Sequence, residues 1–471
     1  MSDIVRAIHV LFDAVENATD VPDFFATVNS LKERAHGIVQ KQSGDAISIH
    51  LDVLKMFNLA VAKFHYVHGH DSVVSSPVGF MMDPTNNCNL GCPGCWNSTN
   101  TDFVNEHYKK LSPGVMKEDT FTAFIRNGGH LSFNAHLYNY SEPFLNKKTP
   151  EYIRMCNALR MKTLVSSNLS LPKLDVEAIV ASGLDQVMVA SDGIRQETYE
   201  AYRRGGDVEL VFDNVRRLAA AKKKMGSDTP HILWQYLLFA HNEGDVPEAA
   251  DMAESIGFNE VRFAEGLATV ANVDDVGVDA SSSEVIAEAA KLGAVFQQAP
   301  RVNFVGDLEP WRDMIVSASR DSFVVNAADY VESDVRSDER CDWLYLGTTV
   351  DAVGDIRPCC IPDIIHTGPM KMGTIRSNER AFNTGAYNAA RRSISNRGAY
   401  EKETLGIDPL KKPFCAKCDV GRPLPQVGLG AVHDWFASVN GSEIATAISG
   451  SSEVLAASVG WSQHAANRLE A

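Results

Sequence analysis

Long apolar runs are missing from this chain. No segment approaches the roughly 20 apolar residues that a helix needs to cross a bilayer, and the opening MSDIVRAIHVLFDAVENATD interrupts its apolar stretch with acids. Neither a membrane span nor a secretory signal is expected from this pattern. Basic residues are in deficit as well: 44 Lys and Arg stand against 60 Asp and Glu, a formal net charge of -16. That balance opposes nonspecific capture of phosphate backbones or anionic lipid, so neither nucleic acid nor membrane is an expected partner. Cysteine is sparse but not scattered. Of the nine, all but Cys156 lie within 88–95 or 341–418. Without a secretory signal, cysteines grouped in this way point to metal ligation rather than disulfides, and to a cytoplasmic location.

What is present suits an ordinary globular protein, with 45% hydrophobic and 22% charged residues. At 471 residues the chain exceeds one comfortable core, so two or three domains are expected. Residues 1–75 carry helical spacing through Ile4, Ile8, Leu11 and Val15, and again through Leu51, Leu54, Phe57 and Val61. From Pro77 short apolar runs alternate with helical stretches, the pattern of stacked βα units around a parallel sheet. The expected strands are 78–83, 131–138, 162–168, 186–192, 232–239 and 260–265, with helices over Pro150 to Leu159, Glu197 to Met225 and Val246 to Ile256. Six such units predict an α/β fold, a partial (β/α)6 barrel over 76–267. A bridging region follows over 268–336, with an Ala-rich helix near Ser283 to Leu292. A small cysteine-bearing module is expected over 337–424, with two strands around Asp351 to Gly354 and a helix near Ala381 to Ile394, then a Gly-, Ser- and Ala-rich tail over 425–471.

The first cysteine group, Cys88-Asn-Leu-Gly-Cys92-Pro-Gly-Cys95-Trp96, follows the first expected barrel strand. Its loop therefore falls at the carboxyl end of a parallel sheet, where active sites gather. Three thiolates on a short loop ligate three irons of a 4Fe-4S cubane and leave the fourth open. The plainer alternative is a zinc loop that borrows a distant fourth ligand. The CxxxCxxC spacing in this strand-loop setting resembles the radical S-adenosylmethionine superfamily over roughly residues 77–266. The resemblance implies an open iron chelated by S-adenosylmethionine, whose reductive cleavage gives a 5'-deoxyadenosyl radical that abstracts a substrate hydrogen. It also implies a flavodoxin- or ferredoxin-type electron donor.

Further positions follow from the same resemblance. Tyr140-Ser141-Glu142-Pro143 is similar to the family's GGEP loop, with Tyr and Ser in place of glycines, and Glu142 is the expected acceptor of the methionine ammonium. Ser166, Ser167 and Asn168 end the third strand where relatives bond the ribose hydroxyls or the carboxylate. Ser191, with Asp192 and Gly193, resembles the family's SLDG stretch; Ser191 and Arg204 are expected near the carboxylate, and Trp96 near the adenine or shielding the cluster.

Cys341, Cys359, Cys415 and Cys418 offer a second set of four ligands, with Gly354 suited to a tight turn between the first two. On spacing alone, a four-cysteine zinc site and an iron-sulfur cluster are equally good readings. Downstream of such a barrel the arrangement resembles the Twitch domain, a shortened SPASM domain, which implies one auxiliary 4Fe-4S cluster. Cys360 adjoins Cys359 as an alternative ligand, a buried thiol, or a catalytic hydrogen donor like that of related epimerases. His136 and Glu265, and the aromatics Trp234 and Tyr236, are candidates for the barrel interior. His65, His68 and His70 are expected to be structural or exposed, since their spacing does not share one helix face. The leading expectation is oxidation or epimerisation of a sugar, an aminocyclitol or a similar small polar molecule. The alternatives are modification of a peptide or protein, and a noncatalytic metal-stabilised binding module.

Overall fold

The computed structural model describes residues 11, 14–15, 21–39, 46–97, 111–266, 278–300, 304–323, 341–360, 370–377, 382–408 and 411–418. Two helices open it, α1 (Val21–Val39) and α2 (Ala46–His68), which stack Phe24 on Phe64 at 3.9 Å. The six expected strands then appear in order as β1 (Gly79–Met82), β2 (Asn134–His136), β3 (Lys162–Ser167), β4 (Gln186–Ala190), β5 (His231–Leu238) and β6 (Glu260–Glu265). Each is parallel to the next. Strand β2 is shorter than its apolar run because residues 129–131 close into a 3-10 turn. The intervening helices include α3 (Glu118–Arg126), α4 (Thr149–Ala158), α5 (Val176–Ala181), α6 (Gln196–Tyr202), α7 (Val208–Met225) and α8 (Val246–Ile256). Helix α8 ends on Gly257 at φ 117°, the left-handed cap expected of that glycine.

Beyond the barrel the described elements are α9 (Ser283–Lys291), β7 (Ala294–Val295), α10 (Arg312–Asp321), α11 (Asp342–Leu346), β8 (Gly347–Val350), β9 (Asp355–Arg357), β10 (Gly373–Thr374), α12 (Gly385–Ser395) and α13 (Arg397–Glu403). Strand β8 pairs parallel with β1, and β9 and β10 extend from it antiparallel. Among the described residues the result is one open sheet in the order β10-β9-β8-β1-β2-β3-β4-β5-β6-β7. The hairpin that lies between Cys341 and Cys359 in the chain is thus continuous with the barrel sheet. Its turn is built as expected: Gly354 has φ 89°, and Asp351 accepts from the backbone N–H groups of Val353 and Asp355.

Side-chain alternation divides the sheet into two faces. Val165, Val187, Val189, Trp234, Tyr236, Val261 and Phe263 join the main core. Trp234 packs edge-on to Phe212 of α7 and stacks on Phe258, so it and Tyr236 lie on the helix-covered face and not in the barrel interior. The opposite, inner face carries His136, Ser166, Met188 and Gln235, which leaves it the more polar of the two. The expected tail at 425–471 lies outside the described residues. No described helix is long and apolar enough to cross a membrane.

Arg391 on α12 holds the second module to the sheet. Fully buried, it donates to the carbonyls of Leu344, Phe382 and Asp71 at 2.8, 2.7 and 3.1 Å, and its guanidinium lies among the rings of Tyr345, Phe382 and Tyr387. Arg391→Met removes the donors and leaves buried carbonyls without partners. A loss of about 3 kcal/mol or more is expected, read as a lower urea midpoint at unchanged slope.

Candidate active site

The loop after β1 is fixed before any cofactor is considered. Asp83, buried at the strand end, accepts from the N–H groups of Asn139 and Ser141 at 2.9 and 3.3 Å, and burial raises its carboxyl to about 6. Asn86 donates to the Ser112 carbonyl at 2.7 Å and accepts from Ala352 N in the β8–β9 turn at 2.9 Å. Gly94, at φ 73°, supplies the left-handed turn between Cys92 and Cys95.

Cys92 is buried and Cys88 and Cys95 are half-buried, all packed with Leu90, Tyr202, Phe239 and Val278 in an apolar cluster separate from the main core. Two donors face the sulfurs: Asn168 Nδ2 is 3.9 Å from Cys88 Sγ, and Arg203 Nη1 is 3.9 Å from Cys92 Sγ. Burial, with the like charge of Cys92 behind it, pushes the Cys95 thiol up to about 12. Bare thiolates are therefore costly here, and a donor set of three sulfurs in an apolar jacket fits an iron-sulfur cluster that supplies the compensating positive charge. Among the described residues no three His, Cys, Asp or Glu side chains are grouped as ligands of one metal ion. His65 and His70 instead face each other, Nδ1 to Nδ1 at 3.0 Å, and His65 Nε2 accepts from Val74 N.

Glu142 sits beside this loop, its N–H donating to the Asn87 carbonyl at 3.0 Å. Its carboxylate is almost wholly buried. It accepts from Ser167 Oγ at 2.8 Å, Asn168 N at 2.8 Å and Phe144 N at 3.2 Å, and burial raises it to about 7. Glu142, Ser167 and Asn168 are thus brought together. Ser166 points to the inner face of the sheet, as strand alternation requires. Ser191 is fully buried, its carbonyl accepting from Trp234 Nε1 at 2.8 Å. Trp96 is buried edge-on to Tyr140, with ring centroids 5.1 Å apart.

Arg204 is the residue whose placement departs most from expectation. Its side chain is exposed, and its carbonyl accepts from Gly91 N at 2.9 Å. Arg203 occupies the inward position, paired with buried Asp192, which also accepts from Leu237 N at 2.7 Å. The cause is a break in the expected helix 197–225: α6 stops at Tyr202, and Gly205, at φ 80°, redirects the chain into α7. The adjacent Gly205-Gly206 pair was the available signal for that break.

In the second group, Cys341 and Cys415 are buried. Burial pushes the Cys341 thiol up to about 12, with the charges of Asp342 and then Cys418 adding to it, and the Cys415 thiol is raised by burial and then by both Cys341 and Cys418. The adjacent pair divides. Burial raises the Tyr387 phenol, with Cys359 and Cys415 contributing, whereas the Tyr138 phenol is pushed up to about 12 by burial and then by Cys360. Cys360 is tied to the barrel through its backbone, its carbonyl accepting from Tyr140 Oη at 2.6 Å. His136 lies on the same inner face, its ring parallel to Tyr138 at 5.9 Å, while Glu265 is exposed.

The radical SAM superfamily model matches residues 82–253, which span β2 to β5, the cysteine loop and Glu142. The chain carries a radical SAM domain. Among curated proteins it is similar to the PqqA peptide cyclase of Granulibacter bethesdensis, 22% identical over 195 residues, or 41% of this chain and 48% of that one. It is also similar to the GTP 3',8-cyclase of Alkaliphilus metalliredigens, 23% identical over 184 residues, or 38% and 53%. The chain spans about half the length of these relatives. Among solved structures, Streptococcus suis SuiB bound to precursor peptide SuiA aligns with TM-score 0.47 and 10% identity over 72% of each chain. The open parallel α/β sheet is the fold of a partial radical SAM barrel.

Proposed function

We propose that this radical SAM enzyme cleaves S-adenosylmethionine at a 4Fe-4S cluster held by Cys88, Cys92 and Cys95, and modifies a peptide or protein substrate. The observation that carries the chemistry is the three-cysteine loop at the carboxyl end of β1, jacketed by apolar side chains and flanked by buried Glu142. When bound, the reduced cluster supplies one electron and S-adenosylmethionine supplies a carbon radical able to take a hydrogen atom. The chain's own residues do the rest. Glu142 accepts the methionine ammonium, with Ser167 and Asn168 fixing its carboxylate. Asn168 and Arg203 steady the sulfurs of Cys88 and Cys92. Trp96, Tyr202 and Phe239 exclude water. Ser166, with His136 and Gln235, faces the substrate.

Cys341, Cys359, Cys415 and Cys418 are proposed to hold a Twitch-type auxiliary 4Fe-4S cluster that exchanges electrons, with Cys360 left as hydrogen donor. A flavodoxin- or ferredoxin-type protein is the proposed reductant. The similarity to a peptide cyclase supports a peptide substrate, whereas the GTP cyclase similarity supports a small polar molecule. Isotope transfer separates them. With carbon-deuterated peptide and, in parallel, deuterated sugar and aminocyclitol pools, label is expected in 5'-deoxyadenosine from the peptide. Label from the small molecules alone would reverse the order.

A further inference from the structure

We propose that Tyr140 is a positioning residue that joins the two cysteine-bearing segments and sets where Cys360 meets the inner face of the barrel. The inference rests on the radical SAM reading of the first loop and goes beyond it. Tyr140 stands two residues before Glu142, where the resembled motif has glycine, so its side chain adds something a glycine lacks. Its hydroxyl donates to the Cys360 carbonyl at 2.6 Å, and its ring meets Trp96, the residue after Cys95, edge-on at 5.1 Å. From the other module, the Arg357 guanidinium lies over the same indole at 5.4 Å, and its Nη1 pairs with Asp351 at 2.9 Å. Both segments thus lean on Trp96, and Tyr140 is tied to each.

The root of the strut is itself fixed. Asp83 at the end of β1 holds the N–H groups of Asn139 and Ser141 on either side of Tyr140. A hydrogen bond from Tyr140 to the backbone of Cys360 therefore fixes that residue relative to the Glu142 loop.

Tyr140→Phe keeps the ring against Trp96 and removes only the donor. In the full-length, metal-free, reduced chain, iodoacetamide alkylation of each cysteine is followed by peptide mass mapping, with fully buried Cys156 as the internal control for folding. The Cys360 rate is expected to rise about fivefold in Tyr140→Phe, the ratio given by loss of one hydrogen bond worth roughly 1 kcal/mol, with Cys156 still protected. An unchanged Cys360 rate would overturn the proposal. A second measurement stands if the variant loosens elsewhere. In the reconstituted protein, the midpoint potential of the second centre is expected to shift while that of the first stays fixed; equal shifts, or none, count against a positioning role. If wild type takes up no iron, the cluster reading fails while the alkylation result still decides the role of Tyr140.

Discussion

Cys88→Ala is expected to abolish 5'-deoxyadenosine formation, a fall of about a thousandfold or more, because two remaining thiolates do not hold a cubane with one open iron. Cys88 has no understudy among the described residues near the loop. Asn168, whose amide donates toward the sulfur at 3.9 Å, does not replace a thiolate. Folding should survive, since Cys88 is half-buried in the minor apolar cluster and outside the main core. Reconstituted iron is expected to fall by about four per chain, with the remainder assigned to the second group. Anaerobic iron counting and product quantification check both halves. Retained cleavage in Cys88→Ala would mean that the loop is not the reactive centre.

Glu142→Gln is expected to weaken S-adenosylmethionine binding by about 10- to 100-fold, through loss of a charge-assisted contact worth roughly 1.5–3 kcal/mol. The pH dependence is the sharper test. Burial raises the Glu142 carboxyl from 4.5 to about 7, so in the free protein it ionises only as pH climbs through that value. Between those values the folded chain holds a proton that the unfolded chain has released, so this group's contribution to stability declines as pH rises from 4.5 to 7. An arriving ammonium favours the ionised form. Wild-type affinity should therefore climb as pH rises toward 7 and then level, and Glu142→Gln should lose that limb. Calorimetric titration of the reconstituted proteins across pH 5.5–8.5, a window chosen to bracket about 7, reads both outcomes.

The barrel strands were legible because each apolar run contains one strand of the sheet, in the expected order. β5 and β6 match their runs nearly end to end, and α8 starts and stops where its periodicity and Gly257 say. The three-cysteine loop was legible because its ligand spacing is written in consecutive residues. Less legible were choices between adjacent residues, where one step along the chain turns a side chain to the opposite side. Ser167, not Ser166, bonds Glu142, and Arg203, not Arg204, faces Cys92, each decided by a strand pleat or a helix end. Hidden too was the pairing of β8 with β1, a contact between segments far apart in the chain, which merges the second module into the barrel sheet. Trp234 and Tyr236 carry the alternation of a strand, but alternation does not say which face the helices cover.

The central claim is that the loop from Cys88 to Cys95 supports reductive cleavage of S-adenosylmethionine. Its most direct test is anaerobic reconstitution of the wild-type chain with iron and sulfide, reduction with dithionite, and quantification of 5'-deoxyadenosine and methionine. Equimolar formation of both is the expected result, at about eight irons per chain for two cubanes. A protein that binds zinc stably and leaves S-adenosylmethionine intact would contradict it.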